Sequence, residues 1–77
     1  MIDNAEKVDF QIKFGKKIEK FRLDQNLSYR QLAHRCDIDH SNISKIEKGE
    51  INIQLSSMLQ LAKGLNIHPK EFLDFEL

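Results

Sequence analysis

The stretch that decides the fold runs from Leu27 to Gly49: LSYRQLAHRCDIDHSNISKIEKG. It reads as two short helices joined by a tight turn. Ser28 is a good N-cap, and Gln31 three residues later completes a capping box. Leu27 before the cap and Leu32 at the fourth helical position form a hydrophobic staple. The arrangement recurs eleven residues on, with Asp39 as the cap, Ile38 before it and Ile43 at the fourth position. One helix therefore begins at about Tyr29 and the next at about His40. Between them Cys36-Asp37-Ile38 must turn the chain, and Asp tolerates unusual turn conformations better than most residues other than Gly. Gly49 stops the second helix, as a C′ residue commonly does.

Each helix has one apolar side. In the first, Leu32, Ala33 and Cys36 mark it, leaving Tyr29, Arg30, His34 and Arg35 to solvent or a ligand. In the second, Ile43 and Ile46 face inward. His40, Ser41, Asn42, Ser44 and Lys45 stay wholly or partly outside. Every one of those five can donate or accept a hydrogen bond, and none is bulky. A DNA major groove admits one helix and displays base-edge donors and acceptors. An ordinary polar surface helix has a similar composition, so the pattern alone leaves both readings open.

Outward from this pair, the flanks also read as helical. Phe10, Phe14, Ile18 and Phe21 fit one helical face, which predicts a helix from about Asp9, its cap, to Gln25. Residues 1–7 are expected to fray. Val8, Phe10, Ile12 and Phe14 also alternate, which is a strand signal. A lone edge strand would need a partner, and only a second copy of the chain offers one. Asn26 suits a left-handed helix end. After a loop over residues 50–54, Leu55, Met58, Leu59, Ala62 and Leu65 form one face of a fourth helix, expected to run to Gly64. Its cap, Gln54, is weak. A fifth helix is expected to about Phe75, from His68 as cap, Pro69 at N1, Glu71 at N3 and an Ile67–Phe72 staple.

The stretch resembles the phage-repressor and Cro-like helix-turn-helix family, also called the XRE family. The resemblance rests on Arg22, Leu27-Ser28, Leu32-Ala33, Ile38-Asp39, Ile43, Ile46-Glu47 and Gly49, and covers about Phe14 to Phe72. It implies an all-α, lambda-repressor-like domain of five helices, a single unit over residues 1–77 with an ordered core at about 9–75. It also implies a sequence-specific regulator of transcription that binds double-stranded DNA and places its third helix, residues 40–47, in the major groove. By resemblance His40, Ser41, Asn42, Ser44 and Lys45 contact bases. Ser28, Tyr29, Arg30, Lys48 and Asn52 contact phosphate, and Arg22 pairs with Glu47 to tie helix 1 to helix 3. Three positions depart from the family pattern. Tyr29 stands where Gln is frequent, Asp37 where Gly is common, and Gln54 where Ser or Thr is usual.

Composition sets bounds. Seventy-seven residues make one domain. With 40% apolar residues and few Gly or Pro the chain is not disordered. One cysteine excludes an internal disulfide, and no stretch approaches a membrane span or opens as a signal peptide, so a cytoplasmic protein is expected. Net charge is zero. Its distribution is uneven: from Lys13 to Lys48 nine basic residues meet five acidic ones, while both ends are acidic.

Other chemistry is weak. His34, Cys36 and His40 lack a fourth ligand of recognisable spacing and read as a core thiol beside two surface imidazoles. No nucleophile–base arrangement or phosphate-cradling Gly loop stands out, so no enzyme, metal or cofactor is expected. One recognition helix reads few base pairs. A C2 homodimer is therefore expected, with Leu73, Phe75 and Leu77 at its interface and residues 8–12 possible additions. Alternatively Phe75 and Leu77 fold back on helix 1. A second function, a protein-interaction module such as an antitoxin, is the alternative to the DNA-binding regulator.

Overall fold

Asp3 starts the first helix, not Asp9. In the computed structural model, which describes residues 1–77, the Asp3 carboxylate accepts the Glu6 N–H at 2.8 Å and α1 runs Asn4–Asp24. The expected frayed segment shrinks to three residues. The strand reading of residues 8–14 is overturned as well. All of them are helical, and Asp9 and Lys13, one turn apart, pair at 3.0 Å along that helix. The helical period wins because it buries Phe14 and Ile18 on one side, which an unpaired strand has no means of doing.

Three further α-helices follow: α2 over Tyr29–Cys36, α3 over His40–Glu47 and α4 over Leu55–Leu65. The capping box at Ser28 forms in both directions, with Gln31 N–H on Ser28 Oγ at 3.1 Å and Ser28 N–H on Gln31 Oε1 at 2.8 Å. Gln54 makes no cap bond to the backbone.

The fifth helix is not an α-helix. Pro69–Leu73 forms a five-residue 3₁₀ helix, so the architecture is four α-helices and one tight terminal turn. His68 does cap it, through Nδ1 to the Lys70 N–H at 3.1 Å. Asp74 then closes an inverse γ-turn, with φ −82°, ψ 76° and Phe75 N–H on the Leu73 carbonyl at 3.0 Å. That turn ends the helix before Phe75 and aims Phe75 back at α1. Eight residues after Pro69 are too few for an α-helix to hold by itself, and two aromatic anchors decide the path instead. Phe72 sits fully buried between Phe14 and Phe21, with ring centroids 6.0 and 5.9 Å away. Phe75 meets Phe10 edge-on at 5.3 Å.

The core joins Phe14 and Ile18 of α1, Leu32 and Cys36 of α2, Ile43 and Ile46 of α3, Leu61, Ala62 and Leu65 of α4, with Leu27 and Phe72 closing it. α1 and α3 touch at Gly15. A Cβ there would lie 2.3 Å from the Ile46 carbonyl oxygen and 2.4 Å from that of Glu47. No helix is long and apolar enough to cross a membrane.

Candidate nucleic-acid interface

α3 is held by its inner face and free on its outer one. Ile43, Ile46 and Glu47 are buried. Helical geometry places Ser41, Lys45 and Lys48 in one row opposite them, and all three are exposed, as is the neighbouring Asn42. His40 and Ser44 lie on the flanks and are half-buried. The five residues expected to read bases thus divide into three that project outward and two that stand at the edges.

The inner end of α3 is anchored by a salt bridge. Arg22 donates from Nε to Glu47 Oε2 at 2.6 Å and from Nη2 to Oε1 at 3.0 Å. Its third nitrogen, Nη1, donates to the Leu27 carbonyl at 2.7 Å. The two side chains are 8% and 1% exposed. One guanidinium therefore fixes α1, α3 and the entry of α2 together. The bond to Glu47 raises the Arg22 pKa further above its ordinary value, against the opposing effect of burial.

Tyr29 completes this anchor, which the sequence did not reveal. Its ring lies over the guanidinium, 4.3 Å from Arg22 Cζ, and is half-buried. A cation over an aromatic face is attracted to it electrostatically. Besides the phosphate contact that the resemblance implies for Tyr29, its ring braces α3 indirectly, by fixing the Arg22 that holds Glu47. The signal for it was the Tyr itself, an aromatic one turn from a buried Arg in space but seven residues away in sequence.

The start of α2 keeps donors free. The capping box uses the Ser28 and Gln31 N–H groups, so the N–H groups of Tyr29 and Arg30 remain as helix-start donors. Arg30 is exposed and lines a shallow 350 Å³ depression with His34, Asp37, Asp39 and His40, between α2 and the start of α3. Lys48 is exposed at the end of α3. Asn52 is exposed but lies towards Phe10 and Gln11, on the α1 side of the molecule. Lys13 and Lys20 are turned to internal partners: Lys13 to Asp9 and the Glu76 carbonyl, Lys20 to Asp24.

Asp39 precedes α3 yet makes no side-chain bond to the helix backbone. Its carboxylate accepts the Ser41 hydroxyl instead, and His40 Nδ1 stands 3.8 Å from its other oxygen. The Ser41 bond, then His40 and Arg30, hold the Asp39 pKa below the usual carboxylate range. Cys36 is buried, which pushes its thiol pKa up. No three His, Cys, Asp or Glu side chains converge closely enough to share a metal ion.

Two close-packed helices with a polar outer row, the second one anchored from behind, define a DNA-binding helix-turn-helix. Residues 18–72 match the helix-turn-helix family, and the chain belongs to it, as a regulator of transcription that binds DNA in a sequence-specific manner. Among its relatives is the control protein C.BamHI of Bacillus amyloliquefaciens, 40% identical over 63 residues, which span 80% of this chain and 78% of that protein. The solved structure of the restriction-modification controller protein C.AhdI from Aeromonas hydrophila superposes with a TM-score of 0.79 at 34% identity, over 80% of this chain and 94% of that one. The restriction-modification controller protein C.Esp1396I gives 0.77 at 28% identity, over 84% of each chain. The family is one of transcriptional regulators rather than enzymes.

Proposed function

We propose that this chain is the controller protein of a restriction–modification system, acting in the cytoplasm as a symmetric homodimer on a palindromic operator. The exposed row on α3 carries the reading. Ser41, Asn42 and Lys45 enter the major groove, with His40 and Ser44 at its edges. Lys45 can donate to guanine O6 or N7, and Asn42 can pair with adenine. Ser28, Tyr29 and Arg30 at the start of α2, chiefly through backbone N–H groups, and Lys48 and Asn52 beyond α3, hold phosphate. Phosphate contacts fix register, and α3 supplies sequence. The chain works as one DNA-binding domain without cofactor or metal. Control of restriction and modification genes is supported by the two solved restriction-modification controller proteins, at 34% and 28% identity, and by the control protein C.BamHI at 40%. The same likeness favours a regulator over an antitoxin.

The dimer face keeps Leu73 and Leu77, which are exposed. Phe75 supports the face from within through Phe10. Beside Leu73 an apolar groove lined by Phe10, Ile51, Leu55 and Met58 extends the surface a second copy can cover.

Selection of duplex DNA from a random pool, at stated salt, tests both parts. The expected product is a palindrome whose half-sites lie one DNA turn apart, about 34–36 Å. It should also occur beside restriction–modification genes in the source genome. A selected site found only elsewhere overturns the controller reading and leaves DNA binding intact. No enrichment at all overturns both.

A further inference from the structure

In the first turn of α3 a carboxylate, Asp39, stands against one of the groove-facing hydroxyls, Ser41. A serine hydroxyl has one proton to donate and two lone pairs to accept with. A free hydroxyl rotates, so it can meet a base-edge acceptor or a base-edge donor equally well. The Ser41 hydroxyl is not free, because its proton is given to the Asp39 carboxylate. The acceptor is a full negative charge at neutral pH, since Ser41, His40 and Arg30 all favour the ionised form. A charge-assisted bond of this kind is about twice as strong as a neutral one. What Ser41 turns towards the groove is then lone pairs alone.

We infer that Asp39 is a positioning residue which makes Ser41 an obligate hydrogen-bond acceptor, so that Ser41 selects a base carrying a major-groove amino group. Those groups are adenine N6 and cytosine N4; guanine O6 and thymine O4 are acceptors and leave Ser41 facing lone pair to lone pair. The inference rests on α3 being the reading helix. It does not need Asp39 to touch DNA. The Asp39 side chain is 61% exposed, and its closest bond is to the Ser41 hydroxyl rather than to the helix backbone. Its removal should therefore change what Ser41 presents while the buried Arg22–Glu47 pair still holds α3.

Selection from a random duplex pool, followed by competition binding at the one base pair that depends on Ser41, tests this with four proteins: the parent, Asp39→Ala, Asp39→Asn and Ser41→Ala. The parent should prefer A or C over G or T there by about ten-fold or more, the discrimination of a good base contact. Asp39→Ala frees the hydroxyl to donate, and the preference should fall to within about three-fold, matching Ser41→Ala. Asp39→Asn offers an amide that can either accept from Ser41 or donate to it, so its preference should lie between those of the parent and Asp39→Ala. Asp39→Ala added to Ser41→Ala should change the preference no further. An unaltered preference in Asp39→Ala overturns the inference. So does an Asp39→Ala, Ser41→Ala double variant whose preference differs from that of Ser41→Ala, since Asp39 would then read the base itself. If the parent selects no site, the DNA-reading assignment of α3 fails and takes this inference with it. A site selected by all four proteins alike sinks the inference alone.

Discussion

Arg22 and Glu47 join α1, α3 and the entry of α2 at one buried point. Both are buried, both ionic contacts are short, and the remaining guanidinium nitrogen is satisfied by the Leu27 carbonyl. A buried pair gains little over a well-packed apolar substitute, because desolvating two charges offsets most of their attraction. Breaking it is another matter. Glu47→Gln leaves a buried guanidinium facing an amide, and Arg22→Met leaves a buried carboxylate. Each should lower stability by about 3–5 kcal/mol, read as the shift in urea midpoint at constant slope. The double variant Arg22→Met with Glu47→Leu should recover part of that loss, since no charge is then stranded. Single variants that melt with the parent would show the pair to be dispensable. Tyr29→Phe keeps the aromatic face over Arg22 and should be nearly silent, whereas Tyr29→Ala should not.

At the level of elements, every α-helix stops on a left-handed residue. Asn26, Asp37, Gly49 and Asn66 have φ of 57°, 53°, 74° and 56°. After α1, α3 and α4 the next N–H reaches back five residues in a Schellman closure: Leu27 to Arg22, Glu50 to Lys45 and Ile67 to Ala62, at 2.9–3.1 Å. Asn26 and Gly49 were legible because Asn and Gly favour that conformation, and Asp37 because the turn left no other residue for it. Asn66 was not read as a stop, because Gly64 two residues earlier drew the helix end to itself. Gly64 is there for space: a Cβ would come 2.9 Å from that of Cys36, where α2 and α4 meet. Gly15 was passed over for the same reason. A glycine inside a helical pattern carries no sign of what crosses it, and the carbonyls of Ile46 and Glu47 come from thirty residues away. The HTH pair was readable because its caps and staples are local. The N-terminal start was missed because Asp3 and Asp9 are equally good caps and only packing chooses. Gly15→Ala should push α1 from α3 and cost about 1–3 kcal/mol or more, as overpacking of a tight contact does. Since Gly15 touches the last turn of α3, DNA affinity should fall with stability. An alanine variant of full stability would mean that α1 slides freely over α3.

For the whole molecule, zero net charge conceals a division of labour. Lys13 and Lys20 are engaged within the chain, while Lys45 and Lys48 have no partner and share the outer row of α3. The two should behave differently. Lys45→Ala should erase preference at particular base pairs, by about 1–3 kcal/mol if its contact is bidentate. Lys48→Ala should weaken all sequences alike and lower the slope of log affinity against log salt by roughly one phosphate. Filter or anisotropy titrations across salt separate these outcomes. A Lys45→Ala variant that weakens all sequences alike would place Lys45 on phosphate rather than in the groove.

Reading one half-site does not select a locus, and the surface left uncovered by the fold bears on how the second is reached. Leu55 is 80% exposed, Leu77 89% and Leu73 44%, at one side of the molecule where Phe10 and Ile51 continue the apolar lining. The terminal 3₁₀ helix explains why only part of the expected arc is available. A longer α-helix would have set Leu73 and Leu77, four residues apart, on one face and turned Phe75 away from both. The turn at Asp74 sends Phe75 inward to Phe10 and leaves Leu73 and Leu77 exposed for the proposed dimer face. Burying apolar area contributes about 25 cal/mol per Å², and a charge placed in that area opposes it strongly. Leu73→Glu should therefore convert a dimer to a monomer in sedimentation at micromolar protein, with the helical content of the domain unchanged. Affinity for a palindrome should drop far more than affinity for one half-site. Phe75→Ala, by contrast, removes a packing contact and should lower stability before it affects assembly. A parent protein that sediments as a monomer at micromolar concentration and binds half-sites as tightly as palindromes would rule the dimer out.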